Sequence, residues 1–346
     1  MTIIDAYTHF VPKQYLDMLA KVSDEQVRSE VSVFLSACAR HPHLSDLDRR
    51  IEHLDKYGID YEVSAPQHTL DPNKFGQLDD ESQIELCRVS NNEMARAMKE
   101  SKGRIYTLGT VPLSSLEESG IEEMRRAIRD LGLKGFEVLS NVRGKPIDRF
   151  EAFWAEAERL DAAVYIHPAD AVSNTSRTYE GEFDLMHVFG WPFETTLIFS
   201  RLLFSGVMSR HPRLRVLAHH LGGTIPFLEG RISESYSNKM AAYPDDILLA
   251  KEQVDQALGG IRGRRAIDFY KVFYYDTAIG GSLSAIRTGC EVFGVERIVF
   301  GTDYPFGSDG GTRRLATYPE AILRLNLPKE DLEKIFVDNA TKLLAI

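Results

Sequence analysis

The sequence Gly-Phe-Glu-Val-Leu at residues 135–139 is followed by Phe-Glu-Ala-Phe-Trp-Ala-Glu-Ala-Glu-Arg-Leu at residues 150–160 and by Ala-Val-Tyr-Ile at residues 163–166. The two short segments are largely apolar and contain β-branched and aromatic residues, as buried strands do, whereas apolar residues recur at helical spacing in the longer segment. A strand, a helix and a second strand in this order place the two strands parallel to each other in one sheet. This stretch therefore predicts a parallel α/β fold.

The same alternation extends in both directions along the chain. Helix-period segments occur at residues 122–131 and 194–207, and Pro192 lies close to the first turn of the second one. Eight strands that alternate with helices predict a closed (β/α)8 barrel, the TIM barrel, and we expect one such domain over residues 1–346. The predicted strands are residues 3–6, 61–65, 105–111, 135–139, 163–166, 215–218, 272–275 and 298–300.

An open, doubly wound α/β sheet is the alternative architecture. It calls for a Gly-rich phosphate-binding turn after the first strand, where this chain has Thr8-His9-Phe10 instead. The longest departures from the strand–helix alternation, at about residues 12–48 and 231–270, are predicted to be helical insertions. Insertions on the side where barrel strands end commonly cover the active site or form a subunit contact.

The bulk composition limits the classes of partner. The chain has 346 residues, of which 43% are hydrophobic and 27% are charged, and its formal net charge is −10. These values are typical of a folded globular protein. Because no long run of Lys or Arg is present, the sequence offers no electrostatic footprint for nucleic acid or for an anionic membrane. We therefore expect a small-molecule partner.

The cysteines and the N-terminal residues favour a cytoplasmic location. Cys38, Cys87 and Cys290 are scattered without C-x-x-C spacing, and their odd number argues against a disulfide framework. The first residues lack the basic and apolar regions of a signal peptide, and no run of about 18 apolar residues occurs.

Histidines and an aspartate are concentrated at the ends of the predicted strands. His9 follows the first strand, His167 ends the fifth, His219 and His220 end the sixth, and Asp303 ends the eighth. In a barrel these positions point into one mouth. A single histidine at a strand end is usually structural, but four strands that end in metal-capable side chains favour one divalent ion. Zn²⁺ suits such ligands best, with Mn²⁺ and Mg²⁺ as alternatives.

With these residues identified, the chain resembles the family typified by 2-amino-3-carboxymuconate 6-semialdehyde decarboxylase, a branch of the amidohydrolase superfamily rich in non-oxidative decarboxylases. The similarity spans nearly the whole chain, and its motifs occur in the family's order. They are Leu-Gly-Leu-Lys-Gly-Phe-Glu at 131–137, Ile-His-Pro at 166–168, Pro-Phe-Glu-Thr-Thr at 192–196, His-Leu-Gly-Gly-Thr-Ile-Pro at 220–226 with Gly-Arg-Ile at 230–232, and Phe-Gly-Thr-Asp-Tyr-Pro-Phe at 300–306.

The resemblance implies a set of site residues. His9, His167 and Asp303 would hold one divalent ion, and His220 would be the catalytic histidine because it stands at the family's distance from Pro226. Asp303 would also supply or relay a proton, which requires its pKa to be raised. Successive residues that leave a strand point in opposite directions, so we expect the neighbouring residue, His219, to face the barrel wall.

Two further residues are implicated by the resemblance. Arg231 matches an arginine that reaches the substrate carboxylate in a neighbouring subunit's pocket, which implies a homodimer or a higher homo-oligomer. Tyr7 stands where relatives have a metal-binding His or Glu. Because a neutral tyrosine is a poor ligand, three roles are open for Tyr7: binding the metal, contacting the substrate, or weakening metal affinity.

The implied activity is metal-dependent, non-oxidative decarboxylation of a small aromatic or unsaturated carboxylic acid. A metal-dependent hydrolase of an amide, a lactone or an imide is one alternative, and release of CO2 as against uptake of water separates the two. A barrel that has lost catalysis and acts as a binding subunit is the other alternative. Metal content separates it from both enzymes, because a binding subunit does not need the ion.

Overall fold

Over the residues that the structure describes, eight parallel strands form the centre of the protein, as predicted. The computed structural model describes residues 1–22, 28–66, 78–113, 118–169, 183–239 and 265–346. The barrel strands are β1 (Ile4–Phe10), β2 (Tyr61–Pro66), β3 (Ile105–Thr107), β4 (Gly135–Leu139), β5 (Ala163–His167), β6 (Arg215–Ala218), β7 (Tyr274–Asp276) and β8 (Ile298–Val299). A short antiparallel hairpin, Asn141–Val142 with Lys145–Pro146, follows β4.

Strands β1 to β3 pair in chain order, and so do strands β4 to β8. The first seam between these two sheets lies beyond the end of β3, which is shorter than its predicted span of 105–111. There the Gly109 amide donates to the Gly135 carbonyl at 2.8 Å, and the Glu137 amide donates to the Gly109 carbonyl at 2.9 Å. The two sheets are therefore continuous on this side.

The second seam joins β1 to the chain around the end of β8. The Ala6 amide donates to the Phe300 carbonyl at 2.7 Å, and the Asp303 amide donates to the Tyr7 carbonyl at 2.9 Å. With both seams formed, every strand has two neighbours, and the predicted closed barrel is confirmed.

Helices surround the barrel, and some of them begin at a side chain that caps the first turn. Asp46 accepts a hydrogen bond from the Arg49 amide at 3.1 Å, and Asp79 accepts one from the Ser82 amide at 2.7 Å, each at a helix N-terminus. The α-helices are Lys13–Val22, Arg28–Arg40, Leu47–Tyr57, Asp80–Glu100, Glu118–Arg129, Glu151–Arg159, Trp191–Phe204, Val207–Arg210, Glu229–Lys239, Leu283–Phe293, Thr312–Leu323, Lys329–Glu333 and Asn339–Leu344.

The predicted insertions are only partly described. Helices Lys13–Val22 and Arg28–Arg40 lie within residues 12–48. Most of residues 231–270 is outside the described residues, which resume at 265 with the 3-10 helix Ala266–Val272. The organisation of residues 1–346 as one domain stays a prediction. No helix in the described ranges is long and apolar enough to cross a membrane.

The inside of the barrel has its own apolar core, separate from the larger core between strands and helices. Helix Asn339–Leu344 covers one end of this core. Hydrogen bonds hold it there, because the Asn339 side-chain amide donates to the carbonyls of Val295 and Ile298 at 2.8 Å each. The buried members of the inner core are Ile4, Ala6, Tyr7, Val63, Ala65, Leu108, Ala163, Tyr165, Leu217, Tyr274, Val299, Ala340, Leu343 and Leu344.

An irregularity in β1 sets the direction of its side chains. The pairing of β1 with β2 shifts register between Asp5 and Thr8, and the consecutive residues Ala6 and Tyr7 both belong to the inner core. Such bulges are common beside active sites, where they re-aim side chains. After the shift, the strand continues to His9 with its side chain on the same side as that of Tyr7.

Arg50 holds the backbone at His9 through a hydrogen bond. Its side chain is fully buried, pairs with Glu62, and donates from Nη1 to the carbonyls of His9 at 2.6 Å and His43 at 3.0 Å. A buried guanidinium that bonds a carboxylate and backbone carbonyls leaves little freedom to the strand beside it.

Gly135 is a strand position that requires a glycine. A Cβ atom there would lie 2.1 Å from the Ala163 carbonyl oxygen on β5, so Gly135→Ala should destabilise the protein by about 3 kcal/mol. Gly230→Ala is the matched control. A Cβ at Gly230 meets nothing within 4 Å, and alanine is the better helix former by up to about 1 kcal/mol. Urea unfolding of both variants checks this, and equal midpoints would contradict it.

Candidate functional site

The structure brings the predicted strand-end residues together at the carboxyl ends of the barrel strands. His9 is in β1, His167 is the last residue of β5, and His219 and His220 follow β6. The His167 ring centroid lies 5.7 Å from that of His9, 5.3 Å from that of His219 and 6.3 Å from that of His220. We call these histidines and Asp303 the mouth cluster.

His9 and Asp303 form the tightest pair of the mouth cluster. Nε2 of His9 lies 3.0 Å from Oδ1 of Asp303, although not along a hydrogen-bond direction. Nδ1 of His9 lies 3.8 Å from Oε1 of Glu137 on the other side of the ring. Both ring nitrogens are buried and have no hydrogen-bond partner among the described residues, which is costly unless another group binds them.

His167 has a fixed ring orientation. It is 2% exposed, and its Nδ1 lies 2.8 Å from the carbonyl oxygen of Pro168. Since a carbonyl can only accept, Nδ1 carries the hydrogen and Nε2 carries the lone pair. This tautomer is the one in which a histidine binds a metal through Nε2.

The side-chain atoms of the mouth cluster are of the types that bind a divalent ion. Buried imidazole nitrogens beside a carboxylate are the ligands that zinc and related ions prefer, and those of His9 have no other partner. Over the described ranges, however, no group of three His, Cys, Asp or Glu side chains is already arranged to hold an ion. The structure therefore shows one close donor pair, His9 with Asp303, and the three-ligand set stays a proposal.

His219 does not face away from the mouth cluster, so that expectation is wrong. Its ring stacks on Tyr7 at 4.3 Å, its Nδ1 lies 2.6 Å from Oδ2 of Asp276, and its Nε2 lies 4.0 Å from Oδ1 of Asp303. Burial opposes a charge on this ring, but the carboxylates of Asp276 and Asp303 outweigh burial and raise the pKa of His219 above its usual value.

A sharp turn explains why both neighbouring histidines face the cluster. The backbone enters the left-handed region at His220, with φ 54°, and stays there at Leu221, with φ 53°. The bend therefore begins at the second histidine and not at Gly222. The two rings lie 3.6 Å apart, and burial together with His219 holds the pKa of His220 well below its usual value.

Asp303 is a carboxylate in this structure. Its Oδ2 accepts a hydrogen bond from Nη1 of Arg314 at 2.5 Å. Burial favours the neutral acid, but the Arg314 guanidinium and the adjacent histidines hold the pKa of Asp303 below its usual value. The raised pKa that a proton donor requires is therefore not found.

Tyr7 directs its hydroxyl at a carboxylate and not at the centre of the mouth cluster. Its ring is fully buried, and its OH donates to Oε1 of Glu137 at 2.8 Å. Burial and the Glu137 carboxylate raise the pKa of Tyr7 well above its usual value, so the side chain is a neutral phenol. Burial also raises the pKa of Glu137.

Arg231 lies outside the mouth cluster. It is an exposed residue of helix Glu229–Lys239, close in sequence to Phe227, whose side chain is 86% exposed. Among the described residues, Arg314 of helix Thr312–Leu323 is the arginine that pairs with a side chain of the cluster, that of Asp303.

Three residues of the site were not predicted from the sequence. Asp276 ends β7 and obeys the strand-end rule, but the predicted strand stopped at residue 275, one position short. Glu137 lies within a strand and ends the family motif at 131–137, but it was not assigned a role, since its local signal is a charge among apolar residues. Arg314 is on a helix, and nothing in its local sequence indicates its contact with Asp303.

Comparison with known proteins gives a consistent set of relatives. The family model described as amidohydrolase matches residues 4–346. A 2-amino-3-carboxymuconate-6-semialdehyde decarboxylase of Dictyostelium discoideum is 28% identical over 316 residues, which are 88% of this chain and 81% of that protein. A gamma-resorcylate decarboxylase of Rhodococcus jostii (strain RHA1) is 29% identical over 279 residues, 75% of this chain and 77% of that protein.

A solved structure shares the fold along the whole chain. The 5-carboxyvanillate decarboxylase of Novosphingobium aromaticivorans DSM 12444 superposes with a TM-score of 0.80, at 21% identity, and the match covers 100% of this chain and 96% of that one. That enzyme was crystallised with manganese and 4-hydroxy-3-methoxy-5-nitrobenzoic acid.

Proposed function

We propose that this chain, which belongs to the amidohydrolase family, is a divalent-metal-dependent, non-oxidative decarboxylase of a small aromatic or unsaturated carboxylic acid. The observation that carries the proposal is the convergence of buried histidines with Asp303 at the carboxyl end of the barrel. Both relatives described above are decarboxylases, which supports carboxylate loss over hydrolysis.

The proposed ion is held by His9, His167 and Asp303. Zinc suits the imidazole donors, and magnesium is the least suited because it prefers oxygen ligands. Manganese is the second choice and is supported by the manganese in the structural neighbour. When bound, the ion would supply Lewis-acid chemistry toward the substrate carboxylate.

The reaction breaks the bond between the substrate carbon and its carboxylate. CO2 leaves, and the carbon takes a proton in its place, so the site needs a group that holds a proton beside it. We assign that proton to Nε2 of His219, whose Nδ1 is fixed by Asp276 and whose Nε2 lies 4.0 Å from Oδ1 of Asp303. Asp303 then acts as a carboxylate.

His220 is the proposed second acid–base group, in its neutral form. Adjacent titratable groups whose environments move their pKa values apart are suited to opposite roles, one as acid and one as base. Here the pKa of His219 is raised and that of His220 is lowered. The half-buried His220 ring, beside Trp191, is therefore suited to accept a proton or a hydrogen bond from the substrate.

The first test is CO2 release from aromatic and muconate-type carboxylates by protein loaded with Mn²⁺ or Zn²⁺. His167→Ala should remove the ion and the activity together, whereas His211→Ala, which changes a histidine paired with Glu151, should preserve both. Metal analysis and CO2 detection make the measurement. Uptake of water without CO2 would contradict the proposed reaction, and full metal content in His167→Ala would contradict the ligand assignment.

The second test compares His219→Asn with His220→Asn. Each should lower turnover by roughly 10²–10⁴-fold and leave metal content intact. In the parent enzyme, activity should fall as pH rises through the raised pKa of His219 and fall as pH drops through the lowered pKa of His220. Profiles of kcat/KM against pH should therefore lose the alkaline limb in His219→Asn and the acidic limb in His220→Asn. Near-normal turnover in either variant removes that residue from the mechanism.

The third test concerns assembly. We propose a homodimer or a higher homo-oligomer in which Arg231 reaches the substrate carboxylate of a neighbouring subunit, and its exposure beside Phe227 is compatible with this role. Arg231→Lys keeps the charge but loses the planar guanidinium with its paired N–H donors, so KM should rise about 10-fold or more. Arg213→Lys, at a residue 72% exposed, is the control. A monomer by light scattering, with unchanged KM, would contradict the shared site.

A further inference from the structure

We propose that Glu137 is a positioning residue for His9, facing Nδ1 of that ring so that Nε2 points at Asp303, and that Tyr7 acts by holding Glu137 in place. The inference rests on the proposed function, because it concerns the metal site of that function. It also assigns a role to a tyrosine that stands where a ligand is expected.

The strand register directs Glu137 into the barrel. Glu137 on β4 is paired with Tyr165 on β5, and Tyr165 belongs to the inner core. Because paired residues of parallel strands point to the same side, the Glu137 side chain also points inward. It is 6% exposed, so its carboxylate must find its partners within the barrel.

Each of the three inward-facing histidines has an oxygen atom near its Nδ1, within hydrogen-bond distance for two of them and at 3.8 Å for His9. Nδ1 of His167 lies 2.8 Å from the Pro168 carbonyl oxygen, and Nδ1 of His219 lies 2.6 Å from a carboxylate oxygen of Asp276. Nδ1 of His9 lies 3.8 Å from Oε1 of Glu137. Each ring therefore has an oxygen acceptor on its Nδ1 side.

This arrangement is the one by which proteins orient metal-binding histidines. A carboxylate or a carbonyl that takes the hydrogen of one ring nitrogen fixes the tautomer and makes the other nitrogen the donor to the ion. For His9 the other nitrogen is Nε2, which lies 3.0 Å from Oδ1 of Asp303. Glu137 thus acts on the ion through His9.

Tyr7 holds the Glu137 carboxylate through a hydrogen bond. Its OH donates to Oε1 of Glu137 at 2.8 Å, the same oxygen that faces His9. The Tyr7 ring stacks against Tyr165, with centroids 5.7 Å apart, and against His219, at 4.3 Å, and these contacts restrict the position of the hydroxyl. The tyrosine therefore contributes to the site without binding the ion.

The experiment is a double-mutant cycle on metal affinity. Metal is removed with a chelator, Mn²⁺ alone is titrated in, and free Mn²⁺ is followed by electron paramagnetic resonance. Glu137→Gln keeps the shape but loses the charge, and it should weaken binding roughly 10–100-fold, as expected for a residue that orients a ligand. Tyr7→Phe should weaken binding less, and adding it to Glu137→Gln should cost nothing more.

Matched controls separate this role from loss of packing. Tyr165→Phe removes another hydroxyl of the inner core, one that has no hydrogen-bond partner among the described residues, and it should leave Mn²⁺ affinity unchanged. Glu156→Gln changes a buried glutamate that pairs with Arg125 and Arg159 outside the cluster, and it should also bind Mn²⁺ normally.

A second readout reports on the His9 tautomer directly. In metal-free protein, the ¹⁵N chemical shifts of the His9 ring should show hydrogen on Nδ1, and Glu137→Gln should shift the population toward hydrogen on Nε2. Should Glu137→Gln fail to fold, the comparison of Tyr7→Phe with Tyr165→Phe decides, since only Tyr7→Phe should weaken Mn²⁺ binding.

Two outcomes would overturn the inference while the proposed function stands. One is wild-type Mn²⁺ affinity in Glu137→Gln. The other is additivity in the cycle, which would mean that Tyr7 acts on the ion independently of Glu137. A parent protein that binds no divalent ion and releases no CO2 would instead overturn the proposed function, and the inference with it.

Discussion

The backbone hydrogen bond from Asp303 to Tyr7 is the constraint on which the site depends. It closes the barrel between β1 and the chain after β8, at 2.9 Å, and it sets the Asp303 carboxylate 3.0 Å from Nε2 of His9. The backbone is irregular on both sides of this hydrogen bond, since β1 shifts register before Thr8 and Asp303, in the chain after β8, has a φ of 61°. A non-glycine residue held at positive φ costs about 1 kcal/mol or more, and the seam hydrogen bonds offset that cost. The hydrogen bond that closes the barrel therefore also brings His9 and Asp303 together.

The second determinant of the site is the balance of charged side chains in its buried interior. Glu137, Asp276 and Asp303 place three carboxylates around the mouth cluster, and Arg314 contributes one guanidinium against Asp303. Buried like charges repel strongly in a medium of low dielectric constant, so the arrangement favours further positive charge. A protonated His219 supplies part of it, and a divalent ion would supply the rest. His219 and His220, with rings 3.6 Å apart, have pKa values displaced in opposite directions, because the carboxylates outweigh burial at His219, whereas burial and the neighbouring His219 lower the pKa of His220.

The fold was predictable because strand–helix alternation is encoded locally, in apolar periodicity, and each barrel strand overlaps a predicted run. The mouth cluster was predictable from residues at strand ends, where a barrel's geometry guarantees convergence. What could not be predicted depends on contacts between distant segments. The register shift in β1 that aims Tyr7, the left-handed turn at His220, and the contact of Arg314 with Asp303 leave no local signal. The expectation that His219 faces the wall was wrong for this reason, because it assumed that the strand continued straight.

The floor of the barrel has a consequence for the order in which the protein can fold during synthesis. Residues 339–344 close the inner core from below, and β1, made first, finds its second neighbour only in the chain around residues 298–304. Contacts between such distant segments form late, since a long loop must be closed before they stabilise anything. A ribosome-bound chain that has reached only helix Leu283–Phe293 therefore carries an open sheet with an unpaired β1 edge and an uncovered apolar interior. In this interval the nascent chain is most exposed to aggregation and most dependent on chaperones.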